Sequence, residues 1–104
     1  MSIFTQTIPD SFQLAVINNK GSLFQGLAKA ISTNNTIGPL SILPGHANFI
    51  SIITDDLRVV DLADALHEFE IELGVIRVFA NEVEIYVGVE TFGPEFLELL
   101  NKPE

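Results

Sequence analysis

Two runs of strict alternation limit what this chain can fold into. From Leu66 to Leu73, Phe69, Ile71 and Leu73 alternate with Glu68, Glu70 and Glu72. From Glu82 to Val87, the apolar Val83, Ile85 and Val87 alternate with Glu82, Glu84 and Tyr86. Successive side chains leave opposite faces of a strand, so each run has one apolar and one polar face and fits a half-buried β-strand. Between the runs, "VIRVFANEV" sets Asn81 between two apolar stretches, which suits a tight hairpin turn. Earlier strands are expected at 12–18, 23–32 and 48–53, separated by Gly, Asn and Pro clusters. Short strands with turn signals at this spacing predict an antiparallel sandwich or barrel rather than a parallel sheet.

Residues 61–69 carry two patterns at once. Leu62, Leu66, Phe69 and Leu73 also fit helical spacing, and "DLADALHEF" is rich in helix formers. Periodicity alone leaves helix and strand both open there. At the C-terminus, "GPEFLELLNKPE" reads as a short helix, with Pro94 near its first turn and Pro103 after its end. A helix of roughly two turns needs packing contacts to persist.

Composition narrows the function classes. A chain of 104 residues has room for one core, and its 47% hydrophobic content excludes intrinsic disorder. It contains no cysteine, which excludes disulfides, cysteine-based zinc sites, iron–sulfur clusters and thiol catalysis. No apolar run is long enough to cross a membrane as a helix, and "MSIFTQTIPD" lacks the basic start of a signal peptide, so a soluble chain of the bacterial cytoplasm or an equivalent compartment is expected. Fourteen acids against five bases give a net charge of −9, which disfavours nucleic acid and anionic membrane surfaces as partners. Seven acids fall between Asp55 and Glu72, where Arg58 is the only Lys or Arg. Such a cluster reads as a solvated face or as a patch for a basic protein partner; it lacks the ligand spacing of a calcium-binding loop.

Catalytic patterns are missing. The two histidines, His46 and His67, are too few for a metal cluster without carboxylate help. No phosphate-binding glycine loop or nucleophile elbow is present. Asp55 and Asp56 are adjacent and expected to diverge on a turn rather than share a site. These residues support no catalytic role and point to no cofactor or metal.

The informative segment is "IGPLSILPGHANF", residues 37–49. Gly38 and Pro39 break one strand, Leu40, Ile42 and Leu43 form an apolar run, and Pro44 and Gly45 turn the chain before His46. Taken alone, this is a connecting loop with a histidine satisfied by backbone groups, or an apolar protein-contact element.

Here the chain resembles the epsilon subunit of F-type ATP synthases, delta in the mitochondrial nomenclature, whose signature is Gly-x-Leu-Gly-Ile-Leu-Pro-Gly-His-Ala. Gly38, Leu40, Ile42, Leu43, Pro44, Gly45, His46 and Ala47 match it. "FQLAVINNKGSLFQGLAKAIST", "DDLRVVD" and "FEIELGVIRVFANEVEIYV" resemble the family's flanking segments, in register over roughly residues 11–90. The resemblance favours a strand at 66–73. It implies an all-β chain, an antiparallel ten-stranded β-sandwich over residues 1–92, with a tail at 93–104 that is at most a short helix. It also implies a rotor subunit linking the gamma subunit to the c-ring, with alpha and beta contacted indirectly. Such a subunit couples ion-driven rotation to ATP synthesis or hydrolysis at the cytoplasmic face of the inner (plasma) membrane. No membrane insertion is implied, and the isolated chain is expected to be a monomer. The implied contact residues are Asn35, Thr36, Gly38, Pro39, Leu40, Ser41, Ile42, Leu43, Pro44, Gly45 and His46, with the Asn35–Ser41 loop reaching the c-ring.

The chain also departs from the pattern. Pro39 stands where the family often has an acid, Ser41 replaces a glycine, and Asp56 stands where a glycine is common. Only "PEFLELLNKPE" stands where typical members continue into a two-helix hairpin, so the inhibitory lever is expected to be missing. Two other classes compete: a stand-alone β-sandwich binding module, and a small carboxylate-based enzyme or calcium protein.

Overall fold

The computed structural model describes residues 9–88, and every regular element in that range is a strand. These are β1 (Phe12–Asn18), β2 (Gly21–Asn35), β3 (Pro39–Ile42), β4 (Phe49–Asp61), β5 (Leu66–Phe79) and β6 (Glu82–Val87). They form one sheet in the order β1-β6-β5-β4-β2-β3, and β1 pairs again with β2, so the sheet closes on itself. Ala28 is opposite both Phe12 and Asp61, so β1 and β4 lie on opposite edges of β2. Ile31 is opposite both Ile42 and Val59, so β3 continues along the edge that β1 leaves. Closure matters because open strand edges invite unwanted pairing.

Several expectations are corrected here. The described residues contain six strands, not ten, because β2, β4 and β5 run unbroken for 15, 13 and 14 residues through register shifts. A bulge bends a strand without ending it. The sheet is not wholly antiparallel: β1 pairs parallel with β6, Gln13–Ile17 against Glu82–Tyr86. Residues 39–42, expected within a loop, form β3. Asp55 and Asp56 lie inside β4 rather than on a turn, with Asp55 at φ 74° beside the shift in the β4–β5 register. At 61–69 the competition resolves as a turn followed by a strand, since β4 ends at Asp61 and β5 starts at Leu66. The expected C-terminal helix lies outside the described residues.

The alternation seen in the sequence fills the interior. Leu14 and Val16 of β1, Val83 and Ile85 of β6, Ile76 and Val78 of β5, and Ile53, Leu57 and Val59 of β4 are buried in one cluster with Phe12, Ile31 and Ile42. Burying each aliphatic side chain contributes roughly 1.5–3 kcal/mol relative to exposure. Gly74 permits the tightest approach, because a Cβ there would lie 2.9 Å from the Tyr86 carbonyl oxygen and 3.2 Å from the Ile53 side chain.

Register also defines two ends. Asn35 is opposite Ile53, Ile53 opposite Gly74 and Gly74 opposite Val87, so the turn after β2 lies at the end where β6 finishes. At the other end of the β2–β4 pair Ala28 is opposite Asp61, and the β4–β5 turn follows there. The β5–β6 turn lies at the far end of β5, where Phe79 is opposite Glu82 and Val78 opposite Phe49 at the start of β4.

Candidate functional site

The stretch from Asn35 to His46 divides into a hairpin tip, a short strand and a second turn. At the tip, the Asn35 carboxamide oxygen accepts from the backbone N–H groups of Ile37 (2.9 Å) and Gly38 (3.1 Å). The Asn35 N–H donates to the Gly38 carbonyl at 2.9 Å. An asparagine that bonds backbone groups two and three residues on fixes a turn without help from the core. Thr36 and Ile37 stand on this tip, and Ile37 is 94% exposed. An apolar side chain on a prearranged turn loses little order when it meets a partner.

In β3 the side chains split. Pro39 starts the strand opposite Asn34, at the end of the strand order, where a residue without N–H disturbs no second ladder. Ser41 is exposed with an ordinary backbone, so serine in place of glycine costs nothing conformationally. Ile42 is fully buried and Leu40 packs against the core. Those two hold the fold and are not free contact groups.

The second turn follows from its sequence. The His46 N–H donates to the Leu43 carbonyl at 3.1 Å, with Pro44 second and Gly45 third at φ 84°, which is a type II turn. Gly45 occupies the position where other residues are strained. The Gly45 N–H donates to the Asn81 carboxamide oxygen at 2.9 Å. His46 is satisfied locally: its Nδ1–H donates to the Ala47 carbonyl at 2.7 Å, and its ring lies 4.8 Å from that of Phe49. Leu43 remains 58% exposed.

The expected contact residues are thus not one patch. β3 separates the Asn35–Gly38 tip from the Leu43–His46 turn by four residues, about 13 Å at ~3.3 Å per residue. Thr36, Pro39, Ser41, Leu43 and Gly45 are exposed, whereas Leu40 and Ile42 face inward.

A second surface went unread in the sequence. Ile50 and Ile52 of β4 point outward, Ile52 opposite Val75 and Ile50 opposite Arg77. On β5, Arg77 lies 5.4 Å from the centre of the Phe79 ring and pairs with Glu84 at 3.3 Å. Burial, with Glu84 beside it, pushes the neighbouring Tyr86 phenol above its ordinary pKa, so it stays uncharged. The clue was "FISII", an apolar run too continuous for a one-sided strand. The acidic stretch is dispersed: Arg58 pairs with Asp56 and Glu68 at 3.3 and 3.2 Å, while Asp61 and Asp64 sit at the β4–β5 turn. Among the described residues no group of three or more His, Asp or Glu is placed to hold a metal.

Residues 11–90 match the family described as ATP synthase, Delta/Epsilon chain, beta-sandwich domain. An ATP synthase epsilon chain of Clostridium botulinum (strain Eklund 17B / Type B) is 31% identical over 78 residues, covering 74% of this chain and 58% of the relative. One of Aliarcobacter butzleri (strain RM4018) is 24% identical over 76 residues, covering 73% of this chain and 61% of the relative. The chain therefore spans about three fifths of the length of these curated relatives. Among solved structures, a chain of the Euglena gracilis mitochondrial ATP synthase (OSCP/F1/c-ring) superposes with a TM-score of 0.73 at 20% identity, over 94% of this chain and 66% of that one. A chain of the Tetrahymena thermophila mitochondrial ATP synthase central stalk/c-ring gives 0.63 at 13% identity, over 79% of this chain and 73% of that one. With the family match running unbroken from β1 through β6, the chain belongs to the ATP synthase delta/epsilon family through its beta-sandwich domain.

Proposed function

We propose that this chain is a non-catalytic rotor subunit that joins the gamma subunit to the c-ring of an F-type ATP synthase, coupling ion-driven rotation to ATP synthesis or hydrolysis. The observation that carries the reading is the match of residues 11–90 to the delta/epsilon beta-sandwich domain. A link that transmits torque must resist deformation, and a closed sheet packed at near-crystalline density supplies that stiffness. The Asn35–Ser41 tip, with Ile37 at its apex, meets the c-ring. The outward face bearing Ile50, Ile52 and Phe79 meets gamma, and alpha and beta are reached only through gamma. Counting the arms of the bent strands β2, β4 and β5 separately gives nine segments in two layers, the core of a β-sandwich domain over residues 1–92. The chain takes no cofactor, does not enter the membrane, is a monomer when isolated, and works at the cytoplasmic face of the inner (plasma) membrane within the assembled complex.

The test is a pull-down of the tagged full chain from native detergent extracts, read by mass spectrometry. Co-recovery of gamma, c, alpha and beta subunits supports the reading. Recovery of none of them overturns it and leaves a β-sandwich module with a different partner.

A further inference from the structure

The β5–β6 turn holds the Leu43–His46 turn, although the two are distant in sequence. The Asn81 oxygen accepts the Gly45 N–H at 2.9 Å, and its nitrogen donates to the Ser11 carbonyl at 2.8 Å. In return, the Asn48 carboxamide oxygen accepts the Ala80 N–H at 2.8 Å. The backbone carbonyl of Asn81 also accepts the Gln13 N–H, at 3.4 Å. Ala80 and Asn81 both take positive φ, 50° and 63°, the requirement of a two-residue hairpin turn. Asparagine tolerates that conformation better than most residues, but backbone tolerance alone does not call for a side chain bonded to two other segments.

We infer that Asn81 is a positioning residue: its carboxamide ties the Leu43–His46 turn to the start of β1 and so fixes the exposed Leu43 as a partner contact at that end of the domain. Gly45 is exposed, so its N–H can bond water when Asn81 is removed. Loss of the carboxamide frees the turn without opening the core. Orientation of Leu43 is what the side chain supplies, and preorganised contacts bind more tightly because less order is lost. The inference rests on the rotor reading above for the identity of the partner, and extends it to a second contact, separated from the Asn35–Gly38 tip by the length of β3.

The experiment compares Asn81→Gly, which keeps the positive φ and removes the carboxamide, with Asn81→Asp, which keeps the acceptor for Gly45. Binding of the full chain to the gamma–c-ring subcomplex of its own ATP synthase is measured together with amide hydrogen exchange. Asn81→Gly is expected to speed exchange at Gly45 and weaken binding about ten-fold, the effect of ~1.4 kcal/mol, while core amides such as Ile85 and Val59 keep their protection. Asn81→Asp, which keeps the acceptor for Gly45 but loses the donor to the Ser11 carbonyl, is expected to recover Gly45 protection in part and to leave binding weakened. Unchanged Gly45 exchange in Asn81→Gly overturns the clasp, and unchanged binding with faster exchange overturns its role in the contact. A wild-type chain that does not bind the subcomplex overturns the rotor reading along with this one, whereas a failure confined to Asn81→Gly exchange or binding leaves that reading standing.

Discussion

His67 donates from Nε2 to the Asp61 carboxylate at 2.8 Å, joining the last residue of β4 to the second residue of β5 across the turn between them. The other Asp61 oxygen accepts from the N–H groups of Ala63 and Ala65, both at 2.9 Å. Phe24 closes over the histidine edge-on, with ring centres 5.0 Å apart. One carboxylate thus organises the whole turn.

Its acidity follows. The hydrogen bond from His67, then that from Ala65, hold the Asp61 carboxyl below its ordinary value. A carboxyl whose pKa is depressed on folding adds stability above the unfolded value, near 3.9, and loses it as pH falls through the folded value. The melting temperature of wild type should therefore drop through the acid range, and Asp61→Asn should show a shallower drop there. Thermal denaturation at a series of pH values from 6 downward reads both curves; parallel curves would show that Asp61 does not contribute.

Thr33 is the one buried polar side chain among the described residues, and its hydroxyl donates to the Asp56 carbonyl at 2.7 Å, next to the bulge at Asp55. Thr33→Val leaves that carbonyl without its donor, which costs about 1–3 kcal/mol. Thr33→Ser keeps the hydroxyl and should lose less. Chemical denaturation of the three proteins decides, and equal loss in both variants would mean that methyl packing rather than the hydrogen bond matters.

Gly74→Ala drives a methyl group against the Tyr86 carbonyl and the Ile53 side chain. Overpacking of this kind costs about 1–3 kcal/mol, or a fall in melting temperature of about 4–8 °C per kcal/mol for a domain of this size. A variant as stable as wild type would show that β5 and β6 can separate at no cost.

Core and contact roles separate within the segment 37–43. Ile42→Ala opens a cavity and should destabilise by about 2–5 kcal/mol. Ile37→Asp changes only a bare side chain and should leave the melting temperature within about 3 °C. Scanning calorimetry on both variants checks the division.

How far the sequence reaches depends on what alternation encodes. It marks which face of a strand is buried, so Val83 and Ile85, or Leu14 and Val16, are identified as core directly. It carries nothing about neighbours, which is why the parallel β1–β6 pairing was unreadable. β3 was hidden because Gly38 and Pro39 signal a break, and only pairing with β2 makes residues 39–42 a strand. The helical spacing at 61–69 lost to the Asp61 turn, whose hydrogen bonds end β4 before a helix can start. Gly45, Pro44 and His46 were legible as a turn from their order alone. Their tie to Asn81, 36 residues away, was not, since nothing local to either segment records it.

The c-ring contact is tested most directly by cross-linking. Because the chain has no cysteine, Ile37→Cys supplies a single thiol at the tip, and Leu62→Cys supplies one at the opposite end of the β2–β4 pair. Each full chain is labelled with a thiol-reactive photocross-linker, assembled into its own ATP synthase and irradiated, and the adducts are identified by mass spectrometry. The account predicts an adduct with the c subunit from position 37 and none from position 62. No c-subunit adduct from position 37 in an assembled complex, or the same adduct from both positions, contradicts it.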